Sequence, residues 1–574
     1  MSTGTSRDSR AGEGNVGTMT ASIGNLEQAV KARLETWQRE KFGSRMWAKD
    51  PTLWAKAGTP EITDRLGWLT LPEEMRAQIP TLTAFRDEIR KEKFTHAVLL
   101  GMGGSSLAPE VFQETFGNHG GSPELHVLDS THPAAVKAMA ERVNLPHTLF
   151  IVSSKSGTTT EMDSFFYYFW SKLETPKAER GRQFVAITDP GTPLQKMGEK
   201  RGFRKIFNAN PNVGGRYSAL THFGIVPAAL IGVDLEKLLG SGLQMEQVCG
   251  AQAADTENPG LKLGAILGEA AKAGRDKVTF FASKSLEHFP VWLEQLIAES
   301  TGKEGKGIVP VAEEEPAGEP GVYGKDRMFV RLELASEAKD GDADKLKALE
   351  EAGHPVIRIT LNDLEDLGGE FYRWEVAIAG AGAVIGIQPF NQPDVQLAKD
   401  LAKQAMKSAG ASGGAGGGAA APEIVDVAQE ATFKAALQKW FSSAKSGDYF
   451  GIDAYLQPTE KTTDLLEKIR LTLRDEGRAA TMLGYGPRFL HSTGQLHKGG
   501  PNTGVFLQIV DTPVEDQAVP ETDYTFGQLI RAQAAGDATA LQQRGRRLLR
   551  LQAGSDAQKA LGKIEDALRE VERG

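Results

Sequence analysis

Short apolar runs alternate with helix-like stretches over most of this chain, and this alternation restricts the fold more than any other feature. A first series of runs begins at His96 and reads HAVLLG, LHVLDS, TLFIVSS and FVAITD. A second series begins after Lys277 and reads VTFFAS, GIVPV, RMFVRLEL and VIRITL. Such runs, separated by helices, are typical of βαβ units with a buried parallel sheet. The sequence therefore predicts an α/β fold with two subdomains.

The length and the glycine distribution suggest how the rest of the chain is organised. At 574 residues the chain is too long for one compact core. The segment SAGASGGAGGGAAAP has the composition of a flexible linker. We expect a disordered tail at residues 1–24, a helical extension at 25–94, a first subdomain at 95–245, a second at 246–407, the linker at 408–422 and an α-rich C-terminal part at 423–574.

Charge and cysteine content narrow the class of partners. The chain has 66 basic and 75 acidic residues and a formal charge of −9, so no diffuse positive surface attracts nucleic acid or an anionic membrane. The N-terminal residues lack the apolar segment of a signal peptide, and no apolar run has membrane-spanning length. The single cysteine, Cys249, fits a reducing compartment. We expect a cytoplasmic protein that binds neither nucleic acid nor membranes.

A glycine cluster, LLGMGGSSLAPE, lies where the first strand should lead into a helix. Around Gly104 and Ser105 it can expose backbone N–H groups near a helix N-terminus, which is an anion-binding geometry. The dinucleotide fingerprint would need glycine where Ser106 stands. A glycine turn that serves only close packing is an equal alternative.

A second loop, IVSSKSGTTTE, follows another buried strand and is rich in hydroxyl groups. Hydroxyls, backbone amides and a helix N-terminus can together surround a phosphate, and the missing G-K-[ST] ending separates the loop from a nucleotide P-loop. The alternative is an ordinary helix cap, which explains only one or two of these residues. The candidate phosphate ligands are Ser154, Lys155, Ser156, Thr158 and Thr159.

Two further residues stand in suggestive places. Arg216 follows a glycine pair in NVGGRYSAL, and Glu299 ends the apolar helical face of FPVWLEQLIAES. Partial burial would raise the pKa of such a carboxylate toward the range of a general base. Taken alone, Arg216 is equally well a surface arginine, and Glu299 is more simply a solvated glutamate at a helix end.

Five segments, in chain order, resemble the signature blocks of the glucose-6-phosphate isomerase family, whose members have the SIS fold: LGMGGSSLAPE, SSKSGTTTE, GGRYSAL, WLEQLIAESTGKEGKG and QPFNQPDVQLAK. The later LGYGPRFLHSTGQLHKGGP resembles the family's histidine block. The resemblance is closest to the isomerase half of fused transaldolase/phosphoglucose isomerase proteins. We expect no transaldolase half, because the residues before His96 are too few for a barrel of about 250 residues. The resemblance implies two SIS-type αβα sandwiches with parallel sheets and a homodimer.

The same resemblance implies an aldose-ketose isomerase that needs no cofactor and no metal. Its substrates would be glucose 6-phosphate and fructose 6-phosphate. Glu299 would carry the proton from C2 to C1, Arg216 would face the enediolate, and His491 with Lys399 would open the sugar ring. Gln295 and Gln392 would orient the substrate. The phosphate would be held by Gly104, Ser105, Ser154, Lys155, Ser156, Thr158 and Thr159.

The position of the histidine block departs from the family pattern. His491 follows both Glu299 and Lys399 and lies beyond the linker, whereas most members carry their histidine between the glutamate and the lysine. The histidine found between them here, His354, has a different context. We therefore assign the role to His491, with His497 as the fallback. The sequence leaves open whether His491 acts in its own subunit or in a partner's.

Two other functions remain open at this point. Thr301 and the second histidine of HSTGQLHK would fit a broadened phosphoglucose/phosphomannose isomerase or another SIS sugar-phosphate isomerase. The chain would also fit a non-catalytic SIS module that senses a sugar phosphate, although a sensor needs no glutamate, arginine, lysine and histidine beside its phosphate loop.

Overall fold

Three five-stranded sheets, parallel except for one edge strand, form the framework of the part of the chain that the structure describes. In a computed structural model, residues 17–338, 342–410 and 421–571 are described, apart from the side chains of residues 407–410. Within them, the strand orders are β3-β2-β4-β5-β6 in the first sheet, β1-β10-β9-β7-β8 in the second and β11-β15-β14-β12-β13 in the third. All neighbouring strands are parallel except β1, which is antiparallel to β10.

The N-terminal part and the first sheet follow one another along the chain. The elements before the first sheet are β1 (Thr18–Ser22), α1 (Glu27–Glu40), α2 (Phe42–Trp47), α3 (Leu71–Arg76) and α4 (Ile79–Lys91). The first sheet and its helices are β2 (His96–Leu100), α5 (Leu107–Phe116), β3 (Glu124–Leu128), α6 (Pro133–Arg142), β4 (Thr148–Ser153), α7 (Thr160–Lys172), β5 (Phe184–Thr188), α8 (Pro193–Arg201), β6 (Lys205–Asn208), α9 (His222–Ile231) and α10 (Leu235–Val248).

The second and third sheets complete the described chain. Besides β1, the second sheet and its helices are α11 (Pro259–Lys272), β7 (Lys277–Ala282), α12 (Phe289–Thr301), β8 (Val309–Val311), β9 (Arg327–Leu334), α13 (Asp342–Glu351), β10 (Val356–Leu361), α14 (Leu367–Ile385) and α15 (Val395–Gly410). The third comprises β11 (Val425–Asp426), α16 (Glu430–Phe441), β12 (Tyr449–Tyr455), α17 (Glu460–Gly477), β13 (Ala480–Tyr485), α18 (Gly494–Gly499), β14 (Gly504–Asp511), α19 (Phe526–Gln543), β15 (Arg547–Gly554) and α20 (Ala557–Arg569).

The predicted α/β fold with parallel sheets is confirmed. The four runs of the first series form β2 to β5, and those of the second series form β7 to β10. All six residues of β4 are buried, as expected for a central parallel strand with helices on both faces. The loops predicted to bind an anion begin at the carboxyl ends of β2 and β4, which are neighbours in the first sheet.

Two expectations need correction. The α-rich C-terminal part contains its helices, but it also contains the third sheet. The expected disordered tail ends earlier than residue 24, because Thr18–Ser22 forms β1 through backbone pairing with β10. Residues 1–16 and residues 411–420 lie outside the described part, so the rest of the tail and most of the linker stay predictions. None of the described helices is long and apolar enough to cross a membrane.

Candidate active site

The glycine turn after β2 brings two parts of the chain into contact. Gly103 has φ +55°, and a Cβ atom there would lie 2.6 Å from the carbonyl oxygen of His491 and 3.0 Å from Nε2 of Gln295. A larger residue would therefore push both away. The turn thus allows the third-sheet loop that carries His491 to approach α12, which carries Gln295.

The next glycine fixes the position of Arg216. A Cβ atom on Gly104 would lie 2.1 Å from the carbonyl oxygen of Gly215, so the two glycine turns can approach this closely only without side chains. Ser218 also donates a hydrogen bond from Oγ to the Gly104 carbonyl at 3.2 Å. Ser105 is buried, and its carbonyl accepts a hydrogen bond from Ser153 Oγ at 3.2 Å. The contacts of Gly104 and Ser105 therefore serve the packing of this turn.

Arg216 is a fully buried cation, not a surface arginine, with 1% relative exposure. Its Nη1 lies 3.3 Å from Oε1 of Glu299. The guanidinium also donates to four other oxygens, which are Ser300 Oγ at 2.7 Å, Gln392 Oε1 at 3.0 Å, the Pro389 carbonyl at 2.5 Å and the Asn391 carbonyl at 3.0 Å. These contacts hold the positive charge in one place beside a carboxylate.

Glu299 lies in the last turn of α12, and its side chain is 14% exposed. Gln295, one turn earlier, donates from Nε2 to Oε2 of Glu299 at 3.1 Å and to the His491 carbonyl at 2.8 Å. One carboxylate oxygen thus faces Arg216 and the other faces Gln295. The carboxylate is oriented from two sides while part of it still reaches solvent.

His491 meets a carboxylate of its own chain. Its Nε2 lies 3.0 Å from Oε1 of Glu161, in the first turn of α7. Gln533 donates to the same oxygen from Nε2 at 2.7 Å, and Thr131 Oγ1 donates to Gln533 Oε1 at 2.7 Å. Burial by itself raises the pKa of Glu161, but the charge and hydrogen bond of His491 outweigh it and lower the pKa to about 2.

Sequence reasoning missed the roles of Glu161 and Gln533. Glu161 ends the SSKSGTTTE block, but an acidic residue in the first turn of a helix is ordinarily explained by the helix dipole. Gln533 lies in α19 and carries no local signal. The two residues are recognised only in the structure, where the first and third sheets contact each other. The sequence pattern does not contain this contact.

The other two histidines considered for this role lie elsewhere. His497 is fully buried, with Nδ1 3.7 Å from Asp453 Oδ1, and burial lowers its pKa well below the usual value. His354 packs edge-on against Phe329, with ring centroids 5.3 Å apart. Of the three histidines, His491 contacts the candidate catalytic residues, through its carbonyl and Gln295.

The hydroxyl-rich loop after β4 is held in shape by Ser154. The Ser154 Oγ accepts a hydrogen bond from the Gly157 backbone N–H at 3.1 Å and lies 3.0 Å from Thr159 Oγ1. Ser156 and Thr158 are exposed, and their hydroxyl oxygens are 2.9 Å apart. The loop therefore presents two hydroxyls to solvent while a third, on a buried serine, stabilises the turn.

Lys155 departs from its expected position. Its ammonium pairs with Oδ2 of Asp189 and donates to the Pro211 carbonyl at 3.1 Å. The pKa of Asp189 is raised by burial, and the Lys155 charge opposes that rise. Asp189 offers Lys155 a neighbouring counter-charge, so the ammonium is paired here and does not border the cavity described next.

A cavity of about 150 Å³ lies between this loop, the His491 loop and α15. Ser156, Thr158, Thr159, His491 and Lys399 are among its lining residues. The charge of Lys399 also helps to lower the pKa of Glu161. Glu299 and Arg216 lie outside the lining, beyond Gln295. The structure thus brings most of the predicted residues into one region, in two adjoining groups.

Hydroxyls of the loop after β4, a lysine and a histidine–carboxylate pair border a cavity, and a second carboxylate faces a buried arginine beside it. This set defines the class of site that performs acid–base chemistry on a phosphate-bearing substrate.

Comparisons with known proteins find a similarity to glucose-6-phosphate isomerases. The family model described as phosphoglucose isomerase matches residues 86–329. Similar relatives include the glucose-6-phosphate isomerase of Rubrobacter xylanophilus, 28% identical over 61% of this chain and 90% of the relative. That of Methanocaldococcus jannaschii is 28% identical over 55% of this chain and 88% of the relative. This chain is thus similar to phosphoglucose isomerases over these parts of its length.

Solved structures agree on the fold. A glucose-6-phosphate isomerase from Chlamydia trachomatis has a TM-score of 0.59 and 18% identity, covering 69% of this chain and 89% of that one. A hypothetical protein from Thermus thermophilus has a TM-score of 0.58 and 24% identity, covering 67% of this chain and 99% of that one. The matched family segment contains Arg216 and Glu299 but ends before Gln392, Lys399 and His491. The closer likeness to fused transaldolase proteins stays a prediction.

Proposed function

We propose that this chain is a glucose-6-phosphate isomerase that interconverts D-glucose 6-phosphate and D-fructose 6-phosphate through a cis-enediolate, in glycolysis and gluconeogenesis. The observation that carries the proposal is the Glu299 carboxylate held between buried Arg216 at 3.3 Å and Gln295 at 3.1 Å. A carboxylate fixed in this way beside a permanent positive charge suits proton transfer next to a carbonyl.

The isomerisation step needs one base that serves two carbons. Glu299 removes the proton from C2 of the open-chain aldose and returns it to C1, while the hydroxyl proton of O2 passes to O1, so that the carbonyl moves from C1 to C2. The reverse reaction uses the same path. A positioned general base contributes typically about 10²–10⁴-fold to the rate. The hydrogen bond from Gln295 directs the carboxylate, so the same oxygen can meet both carbons with little movement.

Arg216 stabilises the charge that develops on the substrate oxygens. Its guanidinium stays protonated through the reaction, and its hydrogen bonds to Ser300 and Gln392 fix its position before the substrate arrives. Preorganised charge of this kind costs no reorganisation in the transition state. Gln392 extends this group toward the solvent side, because its side chain accepts from Arg216 and the residue is exposed.

Ring opening falls to His491 and Lys399, which both border the cavity. Because Nε2 of His491 faces Glu161, Nδ1 is the ring nitrogen left to meet the substrate. One proton must leave a sugar hydroxyl and another must reach the ring oxygen, and a histidine with a lysine can supply both transfers.

The phosphate binds at the loop after β4. Ser156, Thr158 and Thr159 offer hydroxyls at the cavity wall, and Ser154 keeps the loop in shape. Gly104 and Ser105 act by allowing the loop after β2 to pack closely, and Lys155 adds positive charge from the side of Asp189. Binding energy from the phosphate then positions C1 and C2 at the base.

We further propose a homodimer in the cytoplasm. The support is the family resemblance and the single cysteine, Cys249, which is buried. Because His491 reaches Glu161 of its own chain, the dimer is not needed to supply this histidine. Light scattering coupled to size exclusion would give the mass in solution, and fractionation of source cells would give the compartment. A monomer or a membrane-bound pool would contradict this part.

The test is a coupled assay of fructose 6-phosphate conversion to glucose 6-phosphate in chelating buffer, with mannose 6-phosphate formation measured in parallel. We expect turnover by the wild type and its loss in Glu299→Gln, which keeps the shape and removes the base. Binding of a sugar phosphate should persist in that variant. The matched control is Glu304→Gln, an exposed glutamate five residues away, which should keep full activity.

Either alternative function would give a different result. Binding without turnover in the wild type would indicate the non-catalytic sensor. Substantial mannose 6-phosphate formation would indicate the broadened isomerase. The structure gives that second reading less support, because Thr301 is buried and donates a hydrogen bond to the Ile297 carbonyl at 2.8 Å. Thr301 therefore stabilises α12 and does not contact a substrate hydroxyl.

A further inference from the structure

Two histidines and a glutamate meet at the amino-terminal edge of the first sheet. In the parallel pairing of β2 and β3, His96 lies opposite Glu124 and Val98 lies opposite His126. Paired residues of parallel strands point to the same face, and residues two apart on one strand share a face. Sheet geometry therefore projects His96, Glu124 and His126 to the same side.

The ligand atoms of these residues are already close to one another. Nδ1 of His96 lies 3.2 Å from Nε2 of His126, and Nε2 of His126 lies 3.6 Å from Oε1 of Glu124. All three ligand atoms lie within 4.8 Å of one another. In a tetrahedral zinc site with Zn–N bonds of 2.0–2.1 Å, neighbouring ligand nitrogens are about 3.4 Å apart. The observed spacing is close to this value.

We propose that His96, His126 and Glu124 bind a divalent transition-metal ion of the Zn²⁺ type, with a fourth position left for water. Two imidazoles and one carboxylate are a ligand set that zinc accepts. The hard cations Mg²⁺ and Ca²⁺ prefer sites built from oxygen ligands, so this set selects against them.

Burial and charge at the cluster support a cation. His126 is buried, whereas His96 and Glu124 are half-buried, so an ion can enter from solvent and still be partly shielded. Glu124 supplies a carboxylate at the cluster, and Arg142, the last residue of α6, is its ion-pair partner.

Arg142 is the competitor for Glu124. Its Nη2 lies 3.2 Å from Oε1 of Glu124, but the Arg142 side chain is 63% exposed. Exposed ion pairs contribute little to stability, so the guanidinium can turn into solvent when an ion takes the carboxylate. Metal binding would thus replace a weak ion pair by coordination.

The cluster is separate from the proposed reaction. It lies at the amino ends of β2 and β3, whereas the glycine turn of the active site follows the carboxyl end of β2. A five-residue strand is roughly 16 Å long, so the ion would not reach the substrate. Bound there, it would tie β2 to β3 and stabilise the first sheet.

Calorimetric titration of the chelator-treated full chain with Zn²⁺ tests the proposal, together with the absorption spectrum of the Co²⁺ form. We expect one ion per chain, a tetrahedral cobalt spectrum and a higher melting temperature with zinc. His96→Asn and Glu124→Gln should each weaken binding at least tenfold. The matched control, His147→Asn, alters an exposed histidine of the same subdomain and should bind like the wild type.

His126→Gln is an additional variant, and His96→Asn keeps the test decisive if the buried substitution prevents folding. Equal zinc affinity in the wild type and in His96→Asn would overturn the proposal. So would binding that survives in His96→Asn but is lost in His491→Asn, because the ion would then belong to the active site. Isomerase activity should be the same with and without chelator in the wild type and in His96→Asn.

Discussion

Glu161 is a residue that acts on His491, and its own orientation is set by neighbours. Gln533 donates to the Glu161 oxygen that His491 also contacts. Thr131 donates a hydrogen bond to Oε1 of Gln533, which orients the Gln533 amide so that its nitrogen faces Glu161. The histidine is therefore oriented by a chain of three buried side chains. Such networks resist small rearrangements, because each member would leave a buried partner without its hydrogen bond.

Glu161→Gln tests this orientation. The amide keeps the size of the side chain and removes the negative charge, so we expect kcat for cyclic fructose 6-phosphate to fall by about 10²-fold. An aldose phosphate too short to close a ring needs no ring opening, and its turnover should fall much less. Steady-state kinetics with both substrates makes the comparison. An equal loss for both would mean that Glu161 does not act through ring opening.

Arg216→Lys separates charge from geometry. Lysine keeps the positive charge, but a single ammonium cannot reach the four oxygens and the Glu299 carboxylate that the guanidinium contacts. We expect kcat to fall by roughly 10²–10³-fold, the usual effect of losing one preorganised donor to a developing oxyanion. KM should change less. Circular dichroism checks the fold, and a variant with wild-type kcat would refute the assigned role.

The roles of individual residues could be predicted from the sequence only where the family resemblance supplied them. Arg216, Glu299, Gln295 and Gln392 were all assigned in this way, and the structure brings them together. Their local patterns alone did not separate them from surface residues. The position of Lys155 could not be predicted from its motif. Its ion-pair partner, Asp189, lies on another loop, so the local sequence does not reveal the pair.

At the scale of secondary-structure elements, Arg488 joins the third sheet to the first. It lies three residues before His491, contacts both carboxylate oxygens of Glu110 on α5, and lies 3.1 Å from Oδ2 of Asp129 after β3. Burial raises the pKa of Asp129 to about 6, although the Arg488 charge opposes the rise. Arg488 thus helps to anchor the loop that carries His491 to the first subdomain, in addition to the contact of His491 with Glu161.

Arg488→Met should loosen that anchor. Methionine fills part of the space but makes no ion pair, so the His491 loop would shift, and a misplacement of about 1 Å can cost about 10²-fold in rate. We expect kcat to fall at least tenfold with a smaller change in KM, and Arg488→Lys to recover part of the loss. Arg531→Met on α19, an exposed position, is the control and should stay active. Unchanged kcat in Arg488→Met would show that other contacts place the loop.

The third sheet and β1 show why some elements were not predicted. The strands β12, β14 and β15 carry the buried polar residues Asp453, Gln508 and Arg550, which interrupt the apolar runs by which a central strand is recognised. Gln508 accepts a hydrogen bond from Arg550 at 2.8 Å, so these two residues satisfy each other only after the sheet forms. β1 is small and polar, and its strand state depends on backbone pairing with β10.

At the scale of the whole molecule, burial raises the pKa of several carboxyl groups above the usual value. Burial raises the pKa of Glu246 to about 7 and that of Glu370 to about 7. Glu375 on α14 is fully buried, has no hydrogen-bond partner for its carboxyl oxygens among the described residues, and has a pKa raised well above the usual value by burial alone. Folding therefore favours the protonated form of these groups.

The direction of the pH effect follows from this. A carboxyl whose folded pKa lies above its unfolded value of 4.5 contributes its full stability below pH 4.5 and loses it as pH rises toward the folded pKa. The loss is about 1.4 kcal/mol per pH unit for one such group. The melting temperature of the wild type should therefore fall by several degrees between pH 5.5 and pH 8.

Glu375→Gln should flatten this dependence, because a neutral amide replaces a group that must ionise or stay protonated at a cost. We expect the variant to melt a few degrees above the wild type at pH 8 and close to it at pH 5.5. The control Glu351→Gln alters a side chain that is 69% exposed and should keep the wild-type slope. Scanning calorimetry at pH 5.5 and pH 8 measures the melting temperatures of the wild type and both variants. A Glu375→Gln slope as steep as that of the wild type would mean that other groups control the acid–base stability of the fold.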